Sequence, residues 1–266
     1  RLSTHSSLLF SRTGNDEVKF GATFKGPRTQ VRKTVGLRPN ALLLSAAAAA
    51  GIECVQPVFS FFQNDMAYCV ANAFEQEQPI LLDQFKNKTP FSKHLTSLIK
   101  YADFGISDVK SVPANIPSDI WHQFKEQMKT QIGADEGKLE EAFNIKNATQ
   151  LQFTHTGEDS SSAGFGLDNE SRGTVAALSF FSLALRQLSR PTVTLIDEID
   201  TSLHPALVAE LVALYTDPAT NPHGSQLIFT THDVSLINQS GSSNRLLQPD
   251  QIWLVEKDKD GASELF

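Results

Sequence analysis

The chain has 266 residues, 40% hydrophobic and 20% charged, an ordinary globular composition that can bury a core in one large domain or two modest ones. A net charge of −7 and a pI near 5.5 argue against a surface that coats nucleic acid indiscriminately, while leaving room for a local basic patch. Only two cysteines occur, Cys54 and Cys69, in no metal-like spacing, which fits a reducing, cytoplasmic setting, and no apolar run reaches the roughly 18–20 residues of a membrane span.

The chain opens at Arg1 with no signal-peptide pattern, so its true N-terminus is expected upstream. Residues 17–25 alternate, with Val18, Phe20, Ala22 and Phe24 set against Lys19, Gly21, Thr23 and Lys25. That is the period of a half-buried strand, with an antiparallel partner expected around Leu8–Arg12. Between Val18 and Ile52 there is no acidic residue, but there are Lys19, Lys25, Arg28, Arg32, Lys33 and Arg38. The stretch reads either as a solvated loop and exposed strand face or as a contact with the phosphates of nucleotide or nucleic acid. Asn40 is placed to cap a helix that runs through Ala50 and stops at Gly51. From Pro57 to Gln131 the pattern is mostly helical. Ser92 is expected to cap a stretch with Leu95, Leu98 and Ile99 on one face, closed by Gly105; a second helix starts near Ser118 and buries Ile120, Trp121, Phe124 and Met128. Residues 133–141 are charged and broken by glycine, which predicts a surface connection.

From Thr149 the character changes to alternating strand and helix. Leu151 and Phe153 mark a strand, Ala176–Leu188 a long apolar helix, and Val193–Ile196 a wholly apolar strand; a helix from Pro205 and strands at Leu227–Phe229 and Ile252–Val255 follow. Unrelieved apolar strands between helices indicate a parallel sheet covered on both faces.

Val193–Ile196 runs straight into Asp197 and Glu198, and ligands of parallel sheets sit beyond the carboxyl ends of the strands. An Asp there can hold the Mg²⁺ of a nucleotide, and a Glu one residue later can orient or deprotonate an attacking water. The same pair would serve equally well to cap the next helix. Neighbouring segments add weight to the chemical reading. Ile199-Asp200-Thr201-Ser202-Leu203-His204-Pro205 follows at once, and Ser225–Thr231 forms the next strand, which ends at His232-Asp233. Upstream, Glu170-Ser171-Arg172-Gly173-Thr174 opens the long helix, where Gly173 permits close backbone approach, Ser171 offers a hydroxyl and the helix N-terminus attracts anions.

These three runs, in this order, resemble the ABC-type ATPases commonly labelled AAA domain in bacterial genomes. That group includes ATPases of abortive-infection, Septu-like and retron-associated defence systems and relatives of the overcoming-lysogenization-defect nucleases. Arg38–Ser45, Phe59–Phe62 and Trp253–Lys257 also resemble segments of that family. The resemblance implies an α/β fold with an ABC-type P-loop NTPase core, an antiparallel β subdomain over 1–51, a helical insertion over 52–148 and a C-terminal lobe over 149–266. It also implies ATP and Mg²⁺ as ligands. Ser171 and Gly173 would lie in the signature, Asp197 and Glu198 in Walker B, Asp200 in the D-loop and His232 in the switch. Asp197 would serve the metal, Glu198 and His232 would be catalytic, and Gln56 is a candidate glutamine switch. ATP would be sandwiched in a head-to-tail homodimer coupled to an anti-phage effector protein, with nucleic acid as a further candidate partner and no membrane.

The pattern is incomplete in one place. A phosphate-cradling loop reads Gly-x-x-x-x-Gly-Lys-Ser/Thr, yet Pro27 follows Gly21 and Gly26 where lysine is required, and no Gly-Lys-Ser or Gly-Lys-Thr occurs. That loop is expected upstream of Arg1. Arg172 and Thr174 also depart from the transporter signature Leu-Ser-Gly-Gly-Gln, in keeping with a soluble ATPase. Two other functions stay open at this point: the ATPase portion of an ATP-gated nuclease, and a non-catalytic ATP-binding scaffold.

Overall fold

The computed structural model describes residues 8–13, 18–35, 41–69, 74–102, 104–114, 118–132, 148–157, 161–201, 203–238 and 246–266. Arg38, the Asn40 cap, the connection at 133–141 and Ser202 lie outside them, as do the side chains of Ile120, Phe124 and Met128. The chain divides into two compact units, Arg1–Tyr68 and Cys69–Phe266.

In the first unit, strands β1 (Phe10–Ser11) and β2 (Lys19–Phe20) pair antiparallel, with Phe10 opposite Phe20. The alternation of 17–25 becomes strand for two residues only, because the chain turns at Gly21. The Gly21 N–H donates to the Leu9 carbonyl at 2.9 Å, and a Cβ at Gly21 would lie 1.6 Å from the Leu8 carbonyl oxygen, so only glycine fits. The basic stretch beyond it is a helix, α1 (Arg28–Val35), rather than a loop. Its Val31 is buried, while Arg28 and Arg32, one turn apart, lie 5.9 and 5.5 Å from the centre of the Phe20 ring. Helix α2 (Leu43–Ala49) follows, and Gly51, at φ +74°, takes the left-handed position beyond its end. Val18, Phe24, Val31, Leu43, Ala47, Ile52 and Val55 form the core of this unit. Helix α3 (Gln56–Ser60) begins with Gln56, whose side-chain amide donates to the Ala48 carbonyl at 2.9 Å.

Strand β3 (Met66–Cys69) ends on the first residue of the second unit. Helices α4 (Phe74–Lys86), α5 (Pro90–Tyr101) and α6 (Ser118–Ile132) follow, with strand β4 (Ile106–Pro113) between the last two. β4 joins β5 (Thr149–Thr156) and β6 (Ser162–Gly166) in an antiparallel sheet of order β4-β5-β6, against which α4 and α5 pack. Helix α5 is capped by the Thr89 hydroxyl, which accepts from the Ser92 N–H, and Ser92 itself is buried in the first turn.

The remainder alternates: α7 (Arg172–Gln187), β7 (Val193–Ile196), α8 (Pro205–Thr216), β8 (Gln226–Phe229) and the short α9 (Ser235–Asn238). β7 and β8 are parallel, in register from Val193 opposite Gln226 to Ile196 opposite Phe229. Helix α7 packs on α4, α5 and α8 and buries Ala177, Leu178, Phe180, Phe181 and Ala184. Two polar contacts lie within this layer: the Thr194 and Tyr215 hydroxyls are 3.0 Å apart, and burial pushes the Tyr215 phenol up to about 12. Glu77 accepts from the Ser182 hydroxyl at 3.1 Å and pairs with the Arg186 guanidinium. The last strand expected from the sequence lies three residues later than Ile252, as β9 (Val255–Lys257), in an antiparallel hairpin with β10 (Ser263–Leu265). Among the described residues, no helix is long and apolar enough to cross a membrane.

Candidate functional site

β7 is buried or half-buried along its length, with its one polar side chain, Thr194, paired to Tyr215, and the chain becomes exposed at Asp197 and Glu198. β8 runs parallel beside it, so Thr230, Thr231, His232 and Asp233 emerge at the same end. Backbone pairing continues past both strands: the Thr230 N–H donates to the Ile196 carbonyl at 3.1 Å, and the Ile199 N–H to the Thr230 carbonyl at 3.0 Å. On the other side, the Asp197 N–H reaches the Cys69 carbonyl at 3.4 Å. Glu198 bulges between these fixed points with φ +50°, a left-handed conformation that non-glycine residues seldom adopt. A tight turn stabilises it, with the Thr201 N–H donating to the Glu198 carbonyl at 2.9 Å and the Thr201 hydroxyl to its carboxylate at 3.3 Å.

His232 Nε2 lies 3.8 Å from Glu198 Oε1, with both side chains largely in solvent, so this approach adds little stability and leaves both groups free to meet a ligand. The His232 backbone N–H donates to Asp200 Oδ1 at 3.3 Å, tying the turn after β7 to the residue after β8. Four of the residues singled out from the sequence, Asp197, Glu198, Asp200 and His232, are thus assembled at one end of a parallel pair. Asp233 is turned to structural work: its carboxylate accepts from the Ser235 N–H at 2.8 Å, and the Ser235 hydroxyl and amide hold its pKa below the ordinary carboxylate value.

Thr230 was not singled out by the sequence reading, yet it touches both acids. Its hydroxyl lies 2.6 Å from Asp197 Oδ1 and 2.8 Å from the Glu198 backbone nitrogen. The signal available in the sequence was only a hydroxyl residue at the end of the strand next to an Asp-Glu strand end.

Ser171 and Gly173 lie elsewhere in the same unit, at the start of α7. Ser171 is the N-cap: its Oγ accepts from the Thr174 N–H at 3.0 Å and lies 2.9 Å from the Thr174 hydroxyl. Glu170, immediately before it, is held by His155 Nε2 at 2.8 Å. Beside this turn opens a cleft of about 280 Å³ lined by Phe104, His155, Phe165, Asn169, Glu170, Ser171 and Thr174. Among the described residues, no hydrogen bond or ion pair joins Ser171 or Gly173 to the four residues at the ends of β7 and β8. Gln56 belongs to the first unit, where its side chain is bonded to the Ala48 carbonyl.

The donor set suits Mg²⁺ carried in on phosphate. Such an ion takes one or two protein carboxylates and completes its shell with phosphate oxygens and water, and Asp197 offers an exposed hard oxygen ligand. Among the described residues no cluster of three or more His, Cys, Asp or Glu forms a metal-holding group.

Residues 78–238 match the family described as "AAA domain, putative AbiEii toxin, Type IV TA system". The matched span covers more than half of the chain and takes in the α7 N-terminus and both strand ends. No curated protein matches the chain.

Proposed function

We propose that this chain, which belongs to that AAA-domain family of P-loop ATPases of abortive-infection type, binds ATP with Mg²⁺ and hydrolyses the β–γ anhydride beyond the ends of β7 and β8. The observation that carries the reading is the assembly of Asp197, Glu198, Asp200 and His232 at the carboxyl ends of two adjacent parallel strands. Water attacks the γ-phosphorus and the β–γ bridging oxygen leaves with ADP, releasing inorganic phosphate. Glu198 orients that water and takes its proton. His232, 3.8 Å from Glu198, contacts the γ-phosphate. Asp197 would hold Mg²⁺, directly or through water, and the ion would supply positive charge against that of the phosphates. The loop that cradles the phosphates is a further requirement of this reading, since the 266 residues spell no Gly-Lys-Ser or Gly-Lys-Thr.

Ser171 and Gly173 are assigned to the ATP of a second copy, in a head-to-tail dimer. Their support is the start of a 16-residue helix, whose free amides favour an anion, and the lack of any bond to the chain's own acids. Dimer opening after hydrolysis would then signal to an effector in anti-phage defence, a step that rests on family analogy. Ser171→Arg puts bulk and charge at the point of close approach and is expected to prevent ATP-driven dimerisation without unfolding the protein. Mixed with Glu198→Gln protein, it forms heterodimers with one intact signature facing one intact Walker B, and part of the ATPase activity returns. Full activity of the Ser171→Arg homomer would remove this serine from the nucleotide sandwich.

A further inference from the structure

We infer that Thr230 is a positioning residue that couples the Asp197 carboxylate to the Glu198 backbone through one hydroxyl group, an assignment that rests on the ATPase reading above. Its Oγ1 lies 2.8 Å from the Glu198 backbone nitrogen and 2.6 Å from Asp197 Oδ1. A backbone N–H only donates and an ionised carboxylate only accepts, so the direction of both bonds is fixed: the hydroxyl accepts from Glu198 and donates to Asp197. The hydroxyl is itself held in place from behind, because the Thr230 N–H and carbonyl continue the pairing with Ile196 and Ile199.

Two consequences follow for the chemistry. Glu198 stands at φ +50°, which costs a side-chain-bearing residue free energy, and the bond from its N–H to Thr230 is one of the contacts that hold it there. The bond to Asp197 Oδ1 restrains the rotation of that carboxylate, so the group assigned to the cation and the backbone that carries the group assigned to water are held by a single atom. Groups that orient a metal ligand from behind in this way commonly change metal affinity or activity by about 10–100-fold when removed.

Thr230 is exposed, so its replacement leaves the core intact. Thr230→Val keeps the shape and loses both bonds; Thr230→Ser keeps both. In protein that carries a phosphate-binding loop, Thr230→Val is expected to lower kcat and raise the Mg²⁺ concentration for half-maximal rate, each by about 10–100-fold, with KM for ATP little changed and with Thr230→Ser restoring both. A second measurement needs no turnover: amide hydrogen exchange at Glu198, resolved by NMR on protein with nitrogen-labelled glutamate. Exchange is slow in the wild type and Thr230→Ser and accelerated in Thr230→Val. Wild-type kcat and Mg²⁺ dependence in Thr230→Val would overturn the inference, as would unchanged exchange at Glu198. Should the wild type hydrolyse no ATP while the exchange pattern holds, the ATPase reading fails and the coupling of the two residues stands.

Discussion

The left-handed backbone at Glu198 gives the site a stability signature that the pair Glu198→Ala and Glu198→Gly isolates. Both variants lose the contacts of the carboxylate with Thr201 at 3.3 Å and His232 at 3.8 Å, so these losses cancel in the comparison. What remains is φ +50°, which costs a residue with a Cβ about 1–2 kcal/mol and glycine almost nothing. Part of that gain is offset by the greater freedom of glycine in the unfolded chain, about 0.5–1 kcal/mol. The glycine variant is therefore expected to be the more stable by about 1 kcal/mol. In a unit the size of Cys69–Phe266 this raises Tm by about 2–4 °C. Urea titration and calorimetry of the two variants under identical conditions give the difference. Equal stabilities, or an advantage for alanine, would show that residue 198 is not held in the left-handed region, and the water-positioning geometry argued here would fall with it. Neither variant should turn over ATP.

Glu77→Ala leaves the Arg186 guanidinium and the Ser182 hydroxyl without their shared acceptor, and is expected to cost about 2–3 kcal/mol, reduced from a fully buried pair because Arg186 is partly exposed; chemical denaturation measures it. Cys69 is buried and its thiol is pushed up to about 11, chiefly by burial and then by Glu77, whereas Cys54 is exposed. Maleimide at neutral pH should therefore label one cysteine per native chain and two after unfolding; rapid native labelling of both would contradict this burial. Since the folded pKa of Cys69 lies above the ordinary thiol value of 9.0, its contribution is complete below that pH and is lost as pH rises towards about 11, visible as a falling Tm that Cys69→Ala flattens. For the basic helix, a phosphate contact predicts that Arg28→Ala, Arg32→Ala and Lys33→Ala together weaken oligonucleotide binding and reduce its salt slope by about 3. Unchanged binding across a salt series would leave Arg28 and Arg32 as cover for the Phe20 ring.

The parts of the fold legible in the sequence are those where one local rule dominates. Val193–Ile196 is β-branched or aliphatic throughout and carries no charge, and Pro205 suits the first turn of a helix; the strand and the helix start match the sequence reading to the residue. β4 falls within the stretch from Pro57 to Gln131 whose pattern is mostly helical, and its Ile106, Val109 and Val112 recur every third residue. The structure resolves that spacing with a bulge between Ile106 and Asp108, which slips the alternation so that Ile106 and Val109 are both buried. Helix α1 was hidden by the opposite problem, since Val31 is the only buried residue described on it and offers no period to read. At the site, the residue types of Asp197, Glu198, Asp200 and His232 were visible with their strand ends. The bond between the His232 N–H and Asp200, the left-handed Glu198 and the double contact of Thr230 arise only when β7 and β8 lie side by side. Local sequence carries no signal for that register.

The most direct test of the central claim is ATP turnover by Glu198→Gln measured beside its nucleotide affinity, in protein that carries a phosphate-binding loop. The substitution keeps the size of the side chain and the acceptor for Thr201, and removes only the group that takes the proton from water. Hydrolysis is expected to fall by about 10²–10⁴-fold, at about 1.4 kcal/mol of barrier per decade, with ATP affinity retained and an ATP-bound dimer accumulating. Turnover at the wild-type rate would show that Glu198 does not activate the water, and the assignment of the β7 and β8 ends as a hydrolytic site would be wrong.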